Sequence, residues 1–386
     1  MGRYQLLPNI KVNYSLSDIF CAFFLPSRRK KYEGFVKGFL EATLDVPGVV
    51  LTSSGRAALY FILKGLTQRK VIIPAYTCDV VVEAAALAGK NIVYAHVDMQ
   101  SLNVEDVPEI DNDSIFIATH QYGFPCKIKE FCAACKEKGT IVIEDCAGAL
   151  GTKIDGQMAG TFGDYAIFSF NASKLINSPA TGGFLIAKNE DNLAALKESI
   201  CFKPCSFKYK AKNLIKSLAF CLDKNSYVHY WLSKSMKHDA NKAYIPADDY
   251  KPSKRALEDY TYGFYNWQAY VVLKQLKRLP ELLKKREELT KAYQSRLDHI
   301  YQSDYFNRQN SSIRYPIYMN DREKARIKCE KLGVGVGAGF EHFVCPKDYL
   351  EEIAMAKQIT YLPFSSNYSK KEIDHIINVL NKVAYE

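Results

Sequence analysis

The 386-residue chain has no apolar run of the roughly 18 residues that a bilayer-spanning helix requires. Its start, MGRYQLLPNIKVNYSL, lacks the basic-then-apolar pattern of a secretory signal, so no export is expected. Leu6 stands where a myristoylated Met-Gly start would need Ser or Thr. Cysteines number eleven, odd and scattered, which argues against a disulfide framework and for reduced thiols in a cytoplasmic protein. Cys132 and Cys135 form a C-x-x-C, but no second pair or histidine cluster sits at zinc-ligand spacing. The segment KIKEFCAACKEKG reads instead as an amphipathic helix, and no metal is expected. Zinc fingers, RNA-binding sheet signatures and glycine-rich arms are also missing, so nucleic acid is not an expected partner. Internal repeats and low-complexity tracts are missing too, which excludes a solenoid.

Apolar residues make up 48% and charged residues 24%, ordinary values for a globular protein. The length suits one large domain and a smaller one. Net charge is +10, with basic clusters from Arg28 to Gly38 and from Lys203 to Arg255. That balance suits a phosphorylated small molecule or an anionic membrane surface.

Between residues 45 and 190 strand and helix patterns alternate. GVVLTSS, KVIIPAY, NIVYAHVD, SIFIATH, TIVIEDC, YAIFSF and GGFLIAK read as strands; GRAALYFILKGL, DVVVEAAALAG and KIKEFCAACKEKG read as helices. The alternation predicts an α/β domain with a doubly wound, mostly parallel sheet, whose ligands sit at the C-terminal ends of the strands. From 195 to 250 the chain turns basic, aromatic and helical, an insertion that packs on the core or lies over a partner. Lys251 to Arg255 reads as a linker. The stretch from Asn266 to Leu297 reads as long helical structure with Pro280 as a break. The last 75 residues or so alternate again, predicting a small α+β domain. The expected division is an N-terminal arm over 1–44, a large domain over 45–250 and a C-terminal domain over 251–386.

Three places carry chemistry. Ser54 and Gly55 open a helix directly after a strand, and such an N-terminus holds a phosphate through its N–H groups; Arg56 adds a guanidinium. Asp145 closes a buried strand, as a cap, a catalytic group or a partner for a cationic nitrogen. Lys174 follows another strand end in a frame of small residues, with Ser169 five residues before it. Each signal is weak alone. Together, in this order, they match what pyridoxal phosphate needs: a lysine for the aldehyde, an aspartate for the ring nitrogen, and hydroxyls and a helix start for the phosphate.

The motifs SSGRAAL, VIIPAYTCDVVVEAAALAGKNIVYAHVDMQSLNVE, HQYGFPCKIKEF, IEDCAGALG, GTFGDYAIFSFNASK, TGGFLI, QLKRL, KKREELTKAY and YLPFSSNYSKKEIDHI run in register from about 45 to 385. They resemble the DegT/DnrJ/EryC1/StrS family of sugar aminotransferases. The resemblance implies the fold-type I pyridoxal-phosphate architecture and a homodimer with shared active sites. It implies transfer of an amino group from glutamate or glutamine to a keto sugar carried by a nucleotide. By position, Lys174 resembles the lysine that bonds the cofactor aldehyde and later shuttles the proton, and Asp145 the ring-nitrogen partner. Ser169, Ser54, Gly55, Arg56 and Ala57 resemble the phosphate cradle. The chain departs from the pattern at four positions. Cys78 stands where an aromatic ring usually stacks on the cofactor, with Tyr76 or Tyr122 as substitute rings. Gly148 replaces a Gln or His, Arg56 a Thr, and Thr261 an Asn that reaches the neighbouring subunit's phosphate. Another pyridoxal-phosphate reaction on the same scaffold, or a non-catalytic binding relative, stays open at this point.

Overall fold

A computed structural model describes residues 4–24, 31–107, 109–235, 244–297, 313–340 and 342–384. Its centre is a seven-stranded sheet: β1 (Val49–Thr52), β2 (Lys70–Pro74), β3 (Asn91–Ala95), β4 (Ser114–Thr119), β5 (Ile141–Asp145), β6 (Tyr165–Ser169) and β7 (Gly183–Ala187). The order is β1-β7-β6-β5-β4-β2-β3. All neighbouring pairs are parallel except those of β7, which runs antiparallel to both β1 and β6. The mostly parallel, doubly wound α/β sheet expected from the alternation is therefore present.

Central strands such as IVIED and SIFIAT are buried along all or nearly all of their length, because helices cover both faces. Alternate residues serve opposite cores. Ile73, Ile115, Ile117 and Ile143 pack with Ala58, Ile62 and Val82 from the helices Gly55–Gly65 and Asp79–Leu87. Ile72, Phe116 and Val142 face Phe131 and Cys135 of the helix Ile128–Lys138. That helix stops at Gly139, whose φ of 70° is the left-handed cap a glycine accepts without strain.

Near the chain end a second sheet forms from β8 (Tyr315–Tyr318), β9 (Gly337–Ala338) and β10 (Ile359–Leu362), in the order β8-β10-β9 and wholly antiparallel. The helices Leu279–Arg296, Arg322–Lys331 and Lys370–Ala384 cover it through Leu289, Tyr293, Cys329, Ile376 and Leu380. The long helical stretch is two helices, Asn266–Leu276 and Leu279–Arg296. Pro280 sits in the first turn of the second, where its missing N–H leaves no bond unmade. The expected linker is shorter than its sequence suggests: Ser253 already precedes a helix over Lys254–Tyr260.

The parallel strands stop nearly level. Thr119 pairs with Asp145 and Asp145 with Ile167. Ser169 pairs with Gly183, and Gly183 with Thr52. One edge of the sheet thereby gathers the ends of β1, β4, β5 and β6.

Candidate active site

Asp145 is buried at the end of β5. The one hydrogen bond described for its carboxylate comes from the Ala147 N–H at 2.9 Å. Burial pushes its pKa up, and the charges of Lys174 and His120 only partly reverse this. A carboxyl held this way has capacity left for a cationic donor.

Lys174 lies in the loop after β6. Asn177 shapes that loop by donating through Nδ2 to the carbonyls of Asn171, Ala172 and Lys174 at 3.2, 3.0 and 2.6 Å. The N-terminal segment ties it down further: the Asn13 N–H donates to Asn177 Oδ1 at 2.6 Å, and Asn13 Nδ2 donates to the Leu175 carbonyl at 2.7 Å. Burial and then the Arg314 charge lower the Lys174 pKa to about 8, against the opposing pull of Asp145 and Cys78. The structure thus brings Lys174, Asp145 and Cys78 into one electrostatic neighbourhood, across gaps of tens of residues in sequence.

Beside them is the start of the helix Gly55–Gly65. Ser54 caps it, accepting from the Ala57 N–H at 3.1 Å. The remaining first-turn N–H groups have no helical acceptor and point outward. Glycine is required here by close approach. A Cβ on Gly55 would lie 3.0 Å from Ser169 Cβ, and one on Gly183 would lie 2.4 Å from the Gly55 nitrogen. The Ser169 hydroxyl accepts from the Asn171 N–H at 3.3 Å. Ser54, Gly55, Ala57 and Ser169 form one cradle with N–H groups, hydroxyls and a helix dipole, an arrangement suited to an anion.

Arg56 is next to the cradle but is not committed to it. Its guanidinium lies 3.8 Å from the Glu83 carboxylate, which also accepts from the Tyr260 hydroxyl at 2.6 Å. Cys78 precedes the helix Asp79–Leu87, and its thiol donates to Asp79 Oδ1 at 3.5 Å. Burial raises that thiol to about 11, so it is neutral at ordinary pH. Thr261 closes the helix Lys254–Tyr260, and its hydroxyl donates to the Glu258 carbonyl at 2.7 Å. The segment around it lies along β1, since Ser53 Oγ donates to the Asp259 carbonyl at 3.0 Å, but the described bonds of Thr261 are to Glu258 and Lys203 and not to the cradle. A side chain at Gly148 would be crowded: a Cβ there would meet Ile313 Cδ1 at 3.0 Å and the Gly123 nitrogen at 3.3 Å, so these neighbours would have to shift.

Sequence reasoning missed Arg314. Its guanidinium stacks 4.0 Å above the Tyr361 ring, lies 5.7 Å from the Tyr122 ring, and donates to the Gly339 carbonyl at 2.8 Å. It is 140 positions from Lys174 and belongs to no motif, so no sequence signal points to it. The two tyrosines named as substitute rings are joined: their hydroxyls are 2.8 Å apart, and both rings pack on Phe340.

The family model for the DegT/DnrJ/EryC1/StrS aminotransferases matches residues 28–381. A GDP-perosamine synthase of Vibrio cholerae is 28% identical over 289 residues, 73% of this chain and 66% of the relative. A UDP-N-acetyl-3-dehydro-alpha-D-glucosamine 3-aminotransferase of Acidithiobacillus ferrooxidans is 33% identical over 147 residues, 36% of this chain and 40% of the relative. The chain thus matches just under two thirds of the first relative's length and less of the other's. Among solved structures, the Helicobacter pylori aminotransferase PseC, involved in pseudoaminic acid biosynthesis, superposes with a TM-score of 0.74 at 15% identity, covering 98% of this chain and 99% of that one. A putative sugar aminotransferase of Streptococcus pneumoniae in its PMP form gives 0.73 at 18%, with 98% and 99% covered. At such identities the superpositions establish the fold, and the family match, spanning nearly the whole chain, establishes kinship. The chain belongs to the DegT/DnrJ/EryC1/StrS aminotransferase family.

Proposed function

We propose that the chain is a pyridoxal-phosphate-dependent aminotransferase acting on a nucleotide-linked keto sugar. The observation that carries this reading is a buried lysine with a lowered pKa, coupled to a buried carboxyl with spare hydrogen-bonding capacity, beside a glycine-built anion cradle. These residues fit the cofactor: Lys174 for its aldehyde, Asp145 for the proton on its ring nitrogen, and Ser54, Gly55, Arg56, Ala57 and Ser169 for its phosphate. When bound, pyridoxal phosphate supplies a carbonyl that accepts an amino group and a ring that takes up electrons.

The chain's own residues do the rest. A Lys174 amine with a pKa near 8 is partly neutral at physiological pH, so it can act as nucleophile and then as base and acid. Asp145, ionised once a cation lies against it, holds that cation in place. Cys78 offers a neutral thiol wall where relatives carry a ring. Thr261 is the position we assign to contact a second subunit of a homodimer, with a weaker grip than an amide would give. The substrate class follows the relatives, one of which is named for a GDP sugar and another for a UDP sugar. The excess of basic residues suits the diphosphate. Glutamate or glutamine is the donor in this reading, the location is cytoplasmic, and the arm, large-domain and C-terminal division at 44 and 250 belongs to it.

The test is an absorbance spectrum of the purified protein with pyridoxal phosphate, before and after glutamate and glutamine, for wild type and Lys174→Ala. A cofactor band that one donor bleaches in wild type and not in the variant supports the reading. A wild type that takes up no cofactor overturns it in favour of a non-catalytic relative.

A further inference from the structure

Ten of the sixteen large apolar side chains exposed among the described residues lie on three short helices, Leu16–Phe24, Phe207–Leu222 and Ser226–Ser235. The first two pack on one core cluster: Ile19, Ala22 and Phe23 from one and Tyr209 and Cys221 from the other meet around Trp267 and Val271. Lys210 Nζ, on the second helix, donates to the Phe23 carbonyl at 3.2 Å and ties the two together. Their outward residues therefore form one surface. Phe20 and Phe24 stand one turn apart with ring centroids 4.8 Å from each other. On the second helix Phe207, Ile215 and Leu222 follow an i, i+8, i+15 stripe, with Phe207 87% and Ile215 69% exposed. The third helix, which follows the second after three residues and has no buried residue of its own, carries Trp231, 62% exposed and stacked on Tyr4. A soluble surface does not ordinarily concentrate its apolar side chains this way.

The charge on the second and third helices is mostly of one sign, and the acid of the first helix, Asp18, is paired with Lys274. From Lys203 to Lys234 the sequence holds seven lysines and a single acid, Asp223, and Asp223 is already paired with His229 at 2.8 Å. A two-fold contact between copies of this chain would place lysines against lysines. An anionic lipid surface is complementary instead: the lysines meet the headgroups, and the Phe and Trp rings enter the boundary beneath them. No described helix is long and apolar enough to cross a membrane, so the contact is with the surface. We propose that the outward faces of these three helices are a docking face for an anionic bilayer.

The test is flotation of the full-length protein with phosphatidylcholine vesicles, with and without phosphatidylglycerol. Wild type is expected to float with the anionic vesicles only. Raised salt is expected to reduce the floated fraction several-fold. The double substitution Phe207→Ser/Trp231→Ser is expected to lose flotation, and Lys208→Glu/Lys234→Glu to weaken it strongly. All four positions are exposed, and circular dichroism checks that the variants fold. Wild type that stays unfloated, or variants that float like wild type, would overturn the proposal. So would a sizing profile in which Phe207→Ser/Trp231→Ser converts a dimer to a monomer, because the face would then be a subunit interface.

Discussion

Glu144 and Asp145 are consecutive carboxylates at the end of one strand, and the sheet gives them opposite lives. Glu144 points to the face covered by the helix Ile128–Lys138. Its two oxygens accept from His120 Nε2 at 2.9 Å and from the N–H groups of Gly160, Phe162 and Gly163 at 2.8, 2.7 and 2.7 Å. Those donors hold its pKa below the usual range although burial pushes the other way. Cys146 lies near this pair, but four donors leave the carboxylate no lone pair for a metal. Asp145, facing the other way, keeps one backbone donor and a raised pKa. Similar burial with unequal satisfaction separates a carboxylate that holds the fold from one with hydrogen-bonding capacity left over.

The largest expected effect comes from Asp145→Asn. The amide keeps the shape and can still accept from Ala147, but it cannot hold a positive charge on a bound ring. Turnover should fall at least about 100-fold, with thermal stability unchanged or slightly higher. A variant that keeps its turnover would remove Asp145 from the site. Glu144→Gln should do the reverse. Breaking a buried, fully bonded pair costs on the order of 3 kcal/mol, measured by urea unfolding, while the folded fraction keeps its turnover. If Glu144→Gln abolished turnover without loss of stability, the contrast drawn here would fail.

Much of this was readable from the sequence because the signals were local. Strand alternation, the Gly139 stop and the Ser54-Gly55 start each come from a few adjacent residues. The opposite facing of Glu144 and Asp145 follows from strand period alone. What stayed hidden depends on contacts across long separations. Arg314 reaches the site from β8's edge, Asn13 braces the lysine loop from the chain's beginning, and Glu83 draws Arg56 aside from the cradle. None of these leaves a periodic trace, and the space closed over Gly148 by Ile313 is a packing fact no spacing encodes. The orientation of β7 was also unreadable, since a fully buried strand has the same pattern in either direction.

A smaller effect separates the site's lysine from the surface lysines. Only the neutral amine attacks a carbonyl, so the rate of pyridoxal-phosphate capture should climb as pH rises towards about 8, then level off. Below that point the rate should fall about tenfold per unit. Stopped-flow absorbance across pH 6 to 9 measures it; a profile still rising at pH 9 would mean Lys174 keeps the pKa of a solvated lysine.

The smallest effect is on stability against pH, and it has opposite signs at the two carboxylates. Glu144 has a folded pKa below its unfolded one, so its contribution is complete above the usual carboxylate range and is lost as pH falls through the folded value. Asp145 has a folded pKa above its unfolded one. The empty fold therefore binds the proton more tightly than the unfolded chain, and stability declines as pH rises from the usual aspartate range to the raised value. Each unit of displacement is worth about 1.4 kcal/mol. Unfolding midpoints from pH 3 to 7 should accordingly rise less steeply for Glu144→Gln than for wild type, and more steeply for Asp145→Asn. Adding the cofactor should erase the Asp145 difference, because a cation against that carboxylate favours its ionised form. Parallel curves for the two variants would show that burial alone, and not the count of donors, governs both groups.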